Sequence, residues 1–400
     1  MEINIDELLD EGQDYFIDLI KRMLYNEDEN IFDRIDFEND NIFTEPLLFS
    51  YFNSEKKLIS LDQILFGYSN KSRRKFSVSS NDRGVIFLPK HAYLFTNLCS
   101  DVLDFEYTEE DQIVLTKDGH QVDFRLEEIR YSSVCETIEI TDSIDSFASL
   151  YFYHWAGRDE QEMRKFVAAS EVDLSTYAPM IDEALGLLKR VFPKEYARYV
   201  RTMRRIVLFS NNRLRNFATR SAQGTIFLNV NEYSNTTFFL EEIIHQASHC
   251  VFNMATYNTQ SYFVVDPDDT VAQYSNDKTD HRGLYGALHG IYTTGQIVDL
   301  FIQLLESDSN LNFDREMRYE LMGRLAVNKN RHNIGLEAIS WETIFTSKGN
   351  SLFQYYYLKL DQNIENNPKH FKYDVEDHPI VFSYWKFEHD NPIDQYFSNK

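Results

Sequence analysis

The spacing of apolar residues changes once along this chain, and the change limits the folds that are open to it. From 83 to about 141, segments such as HQVDFRLEEI alternate apolar and polar residues around the turn KDG at 117–119, which is typical of strands. From about 178 onward, apolar residues recur every three or four positions, as in helices, apart from the strand-like RRIVLFS (204–210) and GTIFLNV (224–230). The sequence therefore predicts an α+β fold, with a β-containing N-terminal region and a mainly helical C-terminal region.

The chain of 400 residues is long enough for two domains. Residues 1–80 are polar, with short apolar clusters that indicate brief helices and loops. The pattern of apolar and polar residues changes between 145 and 175. We therefore predict a β-rich N-terminal domain over 1–150 and a mainly helical domain over 151–400.

The composition excludes several classes of partner. The chain has 64 Asp and Glu against 40 Lys and Arg, a net charge of −24, and such a charge repels a phosphate backbone. Nucleic acid is therefore excluded, whereas a neutral or basic peptide is compatible. No apolar run is long enough for a membrane span, and the N-terminal MEINIDELLDEGQDYF is acidic where a secretory signal is basic. We expect a cytoplasmic protein with no membrane partner.

The stretch FLEEIIHQASHC (239–250) carries two histidines on a predicted helix. His245 and His249 are four residues apart, so both rings can reach one metal ion. Three scattered cysteines are too few for a cysteine site, and histidine or carboxylate must supply the ligands. The pair is close to the zinc-protease motif HExxH, but Gln246 replaces the glutamate and cannot serve as a general base. Ordinary zinc-protease chemistry is therefore disfavoured.

A third ligand is predicted from the downstream segment GLYGALHGIY. His289 lies there on a second apolar helix, between Gly286 and Gly290, which we expect to allow a close approach of the two helix backbones. Other metal sites instead combine two histidines with one carboxylate. The nearby carboxylates that could complete such a set are Glu241, Glu242 and Asp266. Glu241, one turn before His245, could equally orient that histidine.

The histidine segments carry a family resemblance. HQASHCVFNMAT followed by QYSNDKTDHRGLYGALHGIYTTGQIVDLF resembles the HExxH-motif peptide-modification proteins of bacterial clusters for ribosomally made peptides, which are iron- and 2-oxoglutarate-dependent peptide β-hydroxylases. The resemblance covers roughly 204–306. The matching residues downstream of the pair are Tyr274, Ser275, Asp280, Arg282, Gly286, Leu288, His289 and Gly290. The chain departs from the family at Gln246, where glutamate is usual, and at Gly283, where proline is usual.

The resemblance implies a function and a set of site residues. His245, His249 and His289 would bind Fe(II), and the co-substrates would be O2 and 2-oxoglutarate. Because the oxidant would come from these co-substrates, no carboxylate base is needed, and Gln246 and Glu241 are retained as candidate catalytic residues.

Further residues are candidates for binding the co-substrate. Arg282 is the first candidate for its distal carboxylate. Arg220 and Arg213 are reserves, and Tyr274 or Tyr292 could add hydroxyl donors.

The implied reaction is hydroxylation of a side-chain β-carbon in a ribosomally made precursor peptide. The region 1–150 could hold that peptide by adding it as a strand to a sheet edge. Two alternatives remain open, a zinc-dependent hydrolase and a catalytically silent peptide-binding protein. No oligomeric state is predicted.

Overall fold

The computed structural model describes residues 3–69, 74–143, 172–211, 214–275, 278, 280–307, 311, 313–333, 341–373, 375 and 381–394. The fold is α+β, with a sheet-containing N-terminal region and a helical C-terminal region, as predicted. Within the described residues, no helix combines the length and the apolar character needed to cross a membrane.

Twelve α-helices lie in the described part of the chain. They are α1 (Ile5–Glu27), α2 (Asp40–Phe43), α3 (Pro46–Asn53), α4 (Leu61–Leu65), α5 (Leu174–Val191), α6 (Pro193–Thr202), α7 (Thr236–Ala255), α8 (Val271–Tyr274), α9 (Leu284–Glu306), α10 (Arg315–Asn333), α11 (Ser347–Asn366) and α12 (Tyr384–Asp390).

Eleven strands are described. They are β1 (Arg74–Ser79), β2 (Val85–Leu88), β3 (Ala92–Phe95), β4 (Val102–Tyr107), β5 (Ile113–Lys117), β6 (His120–Gln121), β7 (Arg125–Glu128), β8 (Glu139–Thr141), β9 (Arg205–Phe209), β10 (Phe217–Ala218) and β11 (Thr225–Asn229). They form three sheets with the strand orders β1-β4-β5-β6, β2-β3-β7 and β10-β11-β9-β8.

The chain forms two compact units. The strand unit consists of Glu11–Asp182 and Arg198–Glu232, and the helical unit consists of Met1–Asp10, Glu183–Ala197 and Tyr233–Lys400. The domain boundary predicted at residue 150 lies outside the described residues and stays a prediction.

In the strand unit, β8 and β9 pair in parallel, and so do β9 and β11. Arg205 of β9 is buried, and it donates hydrogen bonds to Glu139 of β8 (2.9 Å) and to Glu45 (3.1 Å). A buried guanidinium is tolerated when carboxylates pair with it in this way. These contacts therefore join strands β8 and β9 to the segment before α3.

The helical unit positions the candidate site. Within it, α9 packs against α7, α10 and α11, and α10 also contacts α7. Helix α9 is apolar over most of its 23 residues because neighbouring helices cover several of its faces. The two histidine-bearing helices, α7 and α9, are therefore held side by side.

Candidate metal centre

Helix α7 begins with a side-chain cap. Asn235 is its N-cap, and its side chain accepts a hydrogen bond from the Phe238 backbone N–H at 2.9 Å, which satisfies one of the free donors of the first turn. The Asn235 amide also donates to Glu320 of α10 (2.7 Å). This cap fixes the start of the helix, and so the rotation that presents His245 and His249 on one face.

The three predicted histidines come together in the structure. The ring centroids of His245 and His249 are 4.9 Å apart, and those of His249 and His289 are 4.2 Å apart. His289 is 7% exposed and also packs against the ring of Phe252, at 4.9 Å. Side chains that are 40 residues apart in sequence thus meet between α7 and α9.

The nitrogen distance between His249 and His289 fits two ligands of one ion, but the three rings do not point at a common centre. Two nitrogens bound to one metal at about 2.0–2.1 Å lie roughly 3.0–3.4 Å apart, and His249 Nδ1 lies 3.2 Å from His289. That nitrogen is equally 3.2 Å from both ring nitrogens of His289, with the rings at 86°. In the part of the chain that is described, no group of three or more His, Cys, Asp or Glu side chains is arranged as a metal site. A rotation of the His289 ring would therefore have to accompany binding.

The environment keeps the paired histidines neutral. Burial is the main cause that lowers the pKa of His249 from 6.5 to about 4, and the positive charge of Arg331 adds to it. Burial also lowers the pKa of His245 well below 6.5, with smaller contributions from His249, Arg331 and His289. Neutral imidazole is the form that binds metals. The donor set suits Fe(II) or Zn(II).

Glu242 and Gln246 form a polar pair beside the histidines. Gln246 Nε2 donates a hydrogen bond to Glu242 Oε2 at 3.1 Å, and the same carboxylate oxygen lies 4.0 Å from His245 Nδ1. Gln246 Oε1 is buried and has no hydrogen-bond partner among the described residues. A buried acceptor without a donor is costly. It therefore marks a place where a bound ligand can donate a hydrogen bond.

Glu241 has a different environment from Glu242. Its two oxygens accept hydrogen bonds from Arg324 Nη1 (2.5 Å) and Asn328 Nδ2 (2.7 Å) of α10, and Arg324 also pairs with Glu320. All four side chains are buried. The carboxylate is therefore committed to the contact between α7 and α10, and its catalytic role stays a prediction that these contacts do not favour.

The predicted co-substrate residues have partners of their own. Arg282 is exposed, at 45% of its side chain, and its guanidinium donates to both oxygens of Asp280. The Tyr274 hydroxyl donates to Asp269 at 2.6 Å. Both residues lie in the segment that leads into α9, but neither contacts the three histidines in the contacts described.

The reserve candidates are spread over the molecule. Arg220 is exposed and lies in the strand unit, and Arg213 lies outside the described residues. Asp266 is exposed in the loop before α8. Tyr292 is 2% exposed, and its ring packs on Phe252 and Tyr356, which is a core position.

The expected role of the glycines beside His289 is wrong. A Cβ added at Gly286 or Gly290 would meet no described atom within 4 Å, so neither glycine is needed for close helix packing. His289 reaches His249 through its own side chain. The two glycines instead leave open space on α9 next to a candidate ligand.

The residue that sequence analysis missed is Arg331. Its signal was present as a polar stripe along α10, at Glu320, Arg324, Asn328 and Arg331, with the spacing of one helix face. The stripe has no motif of its own, so only the packing of α10 against α7 connects it with the histidines.

No protein-family model matches the sequence, and no curated protein matches it.

Proposed function

We propose that this protein is a non-heme iron, 2-oxoglutarate-dependent oxygenase that hydroxylates a side-chain β-carbon in a ribosomally made precursor peptide. The observation that carries the proposal is the meeting of His245, His249 and His289, from two helices, beside a neutral amide at position 246. The resemblance of the two histidine segments to peptide β-hydroxylases supplies the reaction and the substrate class.

The roles of the residues follow from their chemistry. His245, His249 and His289 would hold the iron, and Fe(II) with O2 and 2-oxoglutarate supplies the oxidising power that converts a C–H bond into C–OH. Glu242 offers a carboxylate on the same face of α7 as His245 and His249, either as a further donor or to orient a ring. Gln246 Oε1 would accept a hydrogen bond from a bound ligand.

The open space at Gly286 and Gly290 gives a substrate room beside His289. Both glycines lie on α9, and His289 lies between them in sequence. A peptide segment could therefore approach the histidines without displacing a side chain at either glycine position.

A zinc-dependent hydrolase is the second candidate, because Glu242 brings a buried carboxylate near the histidines. A carboxylate in this environment could act as a general base in place of the missing glutamate at position 246. Such an enzyme would act without oxygen, and it would gain activity from Gln246→Glu.

The strand unit is the proposed holder of the precursor peptide. Strand β7 is the last strand in the order β2-β3-β7, and all four of its residues are exposed. A peptide strand could pair with this edge. Leu126→Pro disfavours strand pairing along β7 and should weaken binding of a candidate precursor peptide, measured by fluorescence anisotropy. Unchanged affinity would remove β7 from the proposal.

The first test of the proposed function is spectroscopic. The purified protein is loaded with Fe(II) without oxygen, and visible absorption is recorded while 2-oxoglutarate is added. We expect a metal-to-ligand charge-transfer band in the wild-type protein and its loss in His289→Ala. His281→Ala is the matched control, because His281 is an exposed histidine only eight residues away.

Each of the other outcomes would support one of the alternative functions. Tightly held zinc with no band, together with oxygen-independent hydrolysis, would support the hydrolase. A folded protein that binds no metal would leave the silent peptide-binding protein, and then His245→Ala and His289→Ala should not affect peptide binding.

A further inference from the structure

Helices α7 and α10 run in the same direction, which fixes what lies beside the histidines. At their starts, Asn235 of α7 donates to Glu320 of α10 at 2.7 Å. Further along both helices, Glu241 accepts from Asn328 at 2.7 Å. The contacts therefore advance together, from the first turn of α7 toward its histidines and from the start of α10 toward its end.

This alignment places Arg331 level with His245, the first histidine of the pair. Arg331 follows Asn328 by three residues, about 4.5 Å along α10, and His245 follows Glu241 by four residues, about 6 Å along α7. Arg331 also lies on the same face of α10 as Glu320, Arg324 and Asn328, whose side chains contact α7. Arg331 thus lies on the α10 face that packs against α7, near the first candidate metal ligand.

Arg331 differs from the other arginine of this helix face in what balances its charge. Arg324 is paired with two carboxylates, those of Glu241 and Glu320. Among the described residues, Arg331 donates one hydrogen bond, to the neutral Asn328 Oδ1 at 3.3 Å. A cation next to residues that bind a second cation is unfavourable unless an anion joins them. Glu242 supplies one carboxylate beside His245, but a bound divalent ion together with Arg331 carries three positive charges, so the site also suits an anionic ligand.

Arg282 is a poorer candidate for the same anion. Its guanidinium already makes a two-oxygen contact with Asp280, and it is largely exposed. A dicarboxylate would have to displace Asp280 and compete with water there. Exposed ion pairs contribute little to affinity.

We propose that Arg331 binds the distal carboxylate of a dicarboxylate 2-oxo acid co-substrate, the role that the sequence pattern assigned to Arg282. The planar guanidinium can make two parallel hydrogen bonds to a carboxylate, while the 2-oxo acid end lies toward His245, His249 and His289. This inference rests on the proposed function, and it identifies the residue that would select a dicarboxylate over a monocarboxylate.

The test compares two ligands that differ only at the distal end. Full-length protein with Fe(II) is titrated without oxygen with 2-oxoglutarate and with 2-oxobutyrate, which has no distal carboxylate, and dissociation constants are read by absorption and calorimetry. In Arg331→Gln we expect the constant for 2-oxoglutarate to rise roughly 10- to 100-fold. The constant for 2-oxobutyrate should stay within about twofold. Arg331→Lys should recover part of the loss.

Two further variants complete the design. Arg315→Gln is the matched control, because Arg315 is an exposed arginine of the same helix, paired with Asp394, and it should change neither constant. Arg282→Gln tests the rival residue, and a selective loss of 2-oxoglutarate there would assign the role to Arg282 and overturn the inference. An equal loss of affinity for both ligands in Arg331→Gln would also overturn the inference, because that result indicates a structural role. Failure of the wild-type protein to bind 2-oxoglutarate would remove the proposed function as well.

Discussion

Position 246 shows how one atom changes the chemistry open to a helix face. An amide there donates to Glu242 (3.1 Å) and stays neutral at every pH. A carboxylate at the same place would lie within hydrogen-bond distance of the Glu242 carboxylate, and two such groups cannot both ionise without cost. Gln246 therefore allows Glu242 to remain a carboxylate beside the histidines.

This argument predicts the effect of Gln246→Glu on the metal-free protein. We expect a loss of about 1–3 kcal/mol in the free energy of unfolding at pH 8. The loss should be smaller at pH 5.5, because the carboxyl groups at positions 242 and 246 can then share one proton. Urea denaturation in the presence of a chelator measures both values.

Gln303→Glu is the matched control, since Gln303 makes the same contact with Asp299, four residues earlier, on an exposed face. Equal losses in the two variants would contradict the assigned environment of Gln246.

His249 predicts a pH dependence of the metal-free protein. Its pKa is lowered from 6.5 to about 4, mainly by burial. Between these values the unfolded chain takes up a proton that the folded chain does not, so unfolding becomes easier as the pH falls from 6.5 to 4. The loss from this one group is at most about 3 kcal/mol.

The measurement is the free energy of unfolding at pH 7 and pH 4.5 for the wild-type protein and for His249→Gln, which cannot titrate. The difference between the two pH values should be smaller in His249→Gln, whereas His281→Gln should behave as wild type. Identical pH dependence in all three proteins would show that His249 is not buried as a neutral ring.

At the scale of helices, buried ion pairs connect α7 with α10. Arg324 and its partners Glu241 and Glu320 have side chains that are 4–7% exposed. Removing the cation leaves two buried carboxylates without the guanidinium that balances their charge. The position of the histidine face relative to α10 therefore depends on Arg324.

Arg324→Gln should lower the free energy of unfolding by about 3–5 kcal/mol, whereas Arg315→Gln, which breaks an exposed pair on the same helix, should cost less than about 1 kcal/mol. Thermal and urea denaturation would measure both. A loss near that of Arg315→Gln would indicate that water reaches the Arg324 cluster.

Two glycines provide a second comparison between helices. Gly286 and Gly349 are each the third residue of their helix, but only Gly349 has close neighbours, because an added Cβ would overlap the Tyr262 carbonyl oxygen. Gly286→Ala should raise the free energy of unfolding by roughly 0.5–1 kcal/mol through helix propensity. Gly349→Ala should lower it. A loss in Gly286→Ala would show that the space beside His289 is filled.

Most helices and strands with strong periodicity were predictable. Strands β9 and β11 lie within one residue of the predicted segments 204–210 and 224–230, and helix α7 contains the whole predicted stretch 239–250. Helix α1 was not foreseen, although Ile5, Leu9 and Leu24 all lie on its buried face, because the many acidic residues between them mask the helical spacing. Pro193 is the first residue of α6, a position that tolerates proline.

The candidate site was predictable only where local sequence carries the signal. Helical spacing brings His245 and His249 together, and a local motif identified His289. The Glu241 ion pairs and the position of Arg331 depend on which face of α10 meets α7, and no local pattern encodes that packing.

At the scale of the whole molecule, the division into two compact units predicts which residues a bound metal stabilises. A ligand that binds only the folded site stabilises the cooperative unit that contains it. With Fe(II) added under anaerobic conditions, hydrogen exchange measured by mass spectrometry should slow in α7 and α9. Exchange in β1 to β6 of the strand unit should change little. Equal slowing in both units would show that they open together.

The parallel pairing of β8 with β9 has a consequence for how the chain is made. Strand β8 ends at Thr141, but its partner begins at Arg205, and a ribosome that adds roughly 5–20 residues per second needs about 3–13 s to reach it. During that time the nascent chain holds strand β8, with Glu139, Ile140 and Thr141, without its parallel neighbour. A fragment that stops at residue 150 would remain in this condition permanently, so a binding assay with that fragment alone would report on an unfinished sheet.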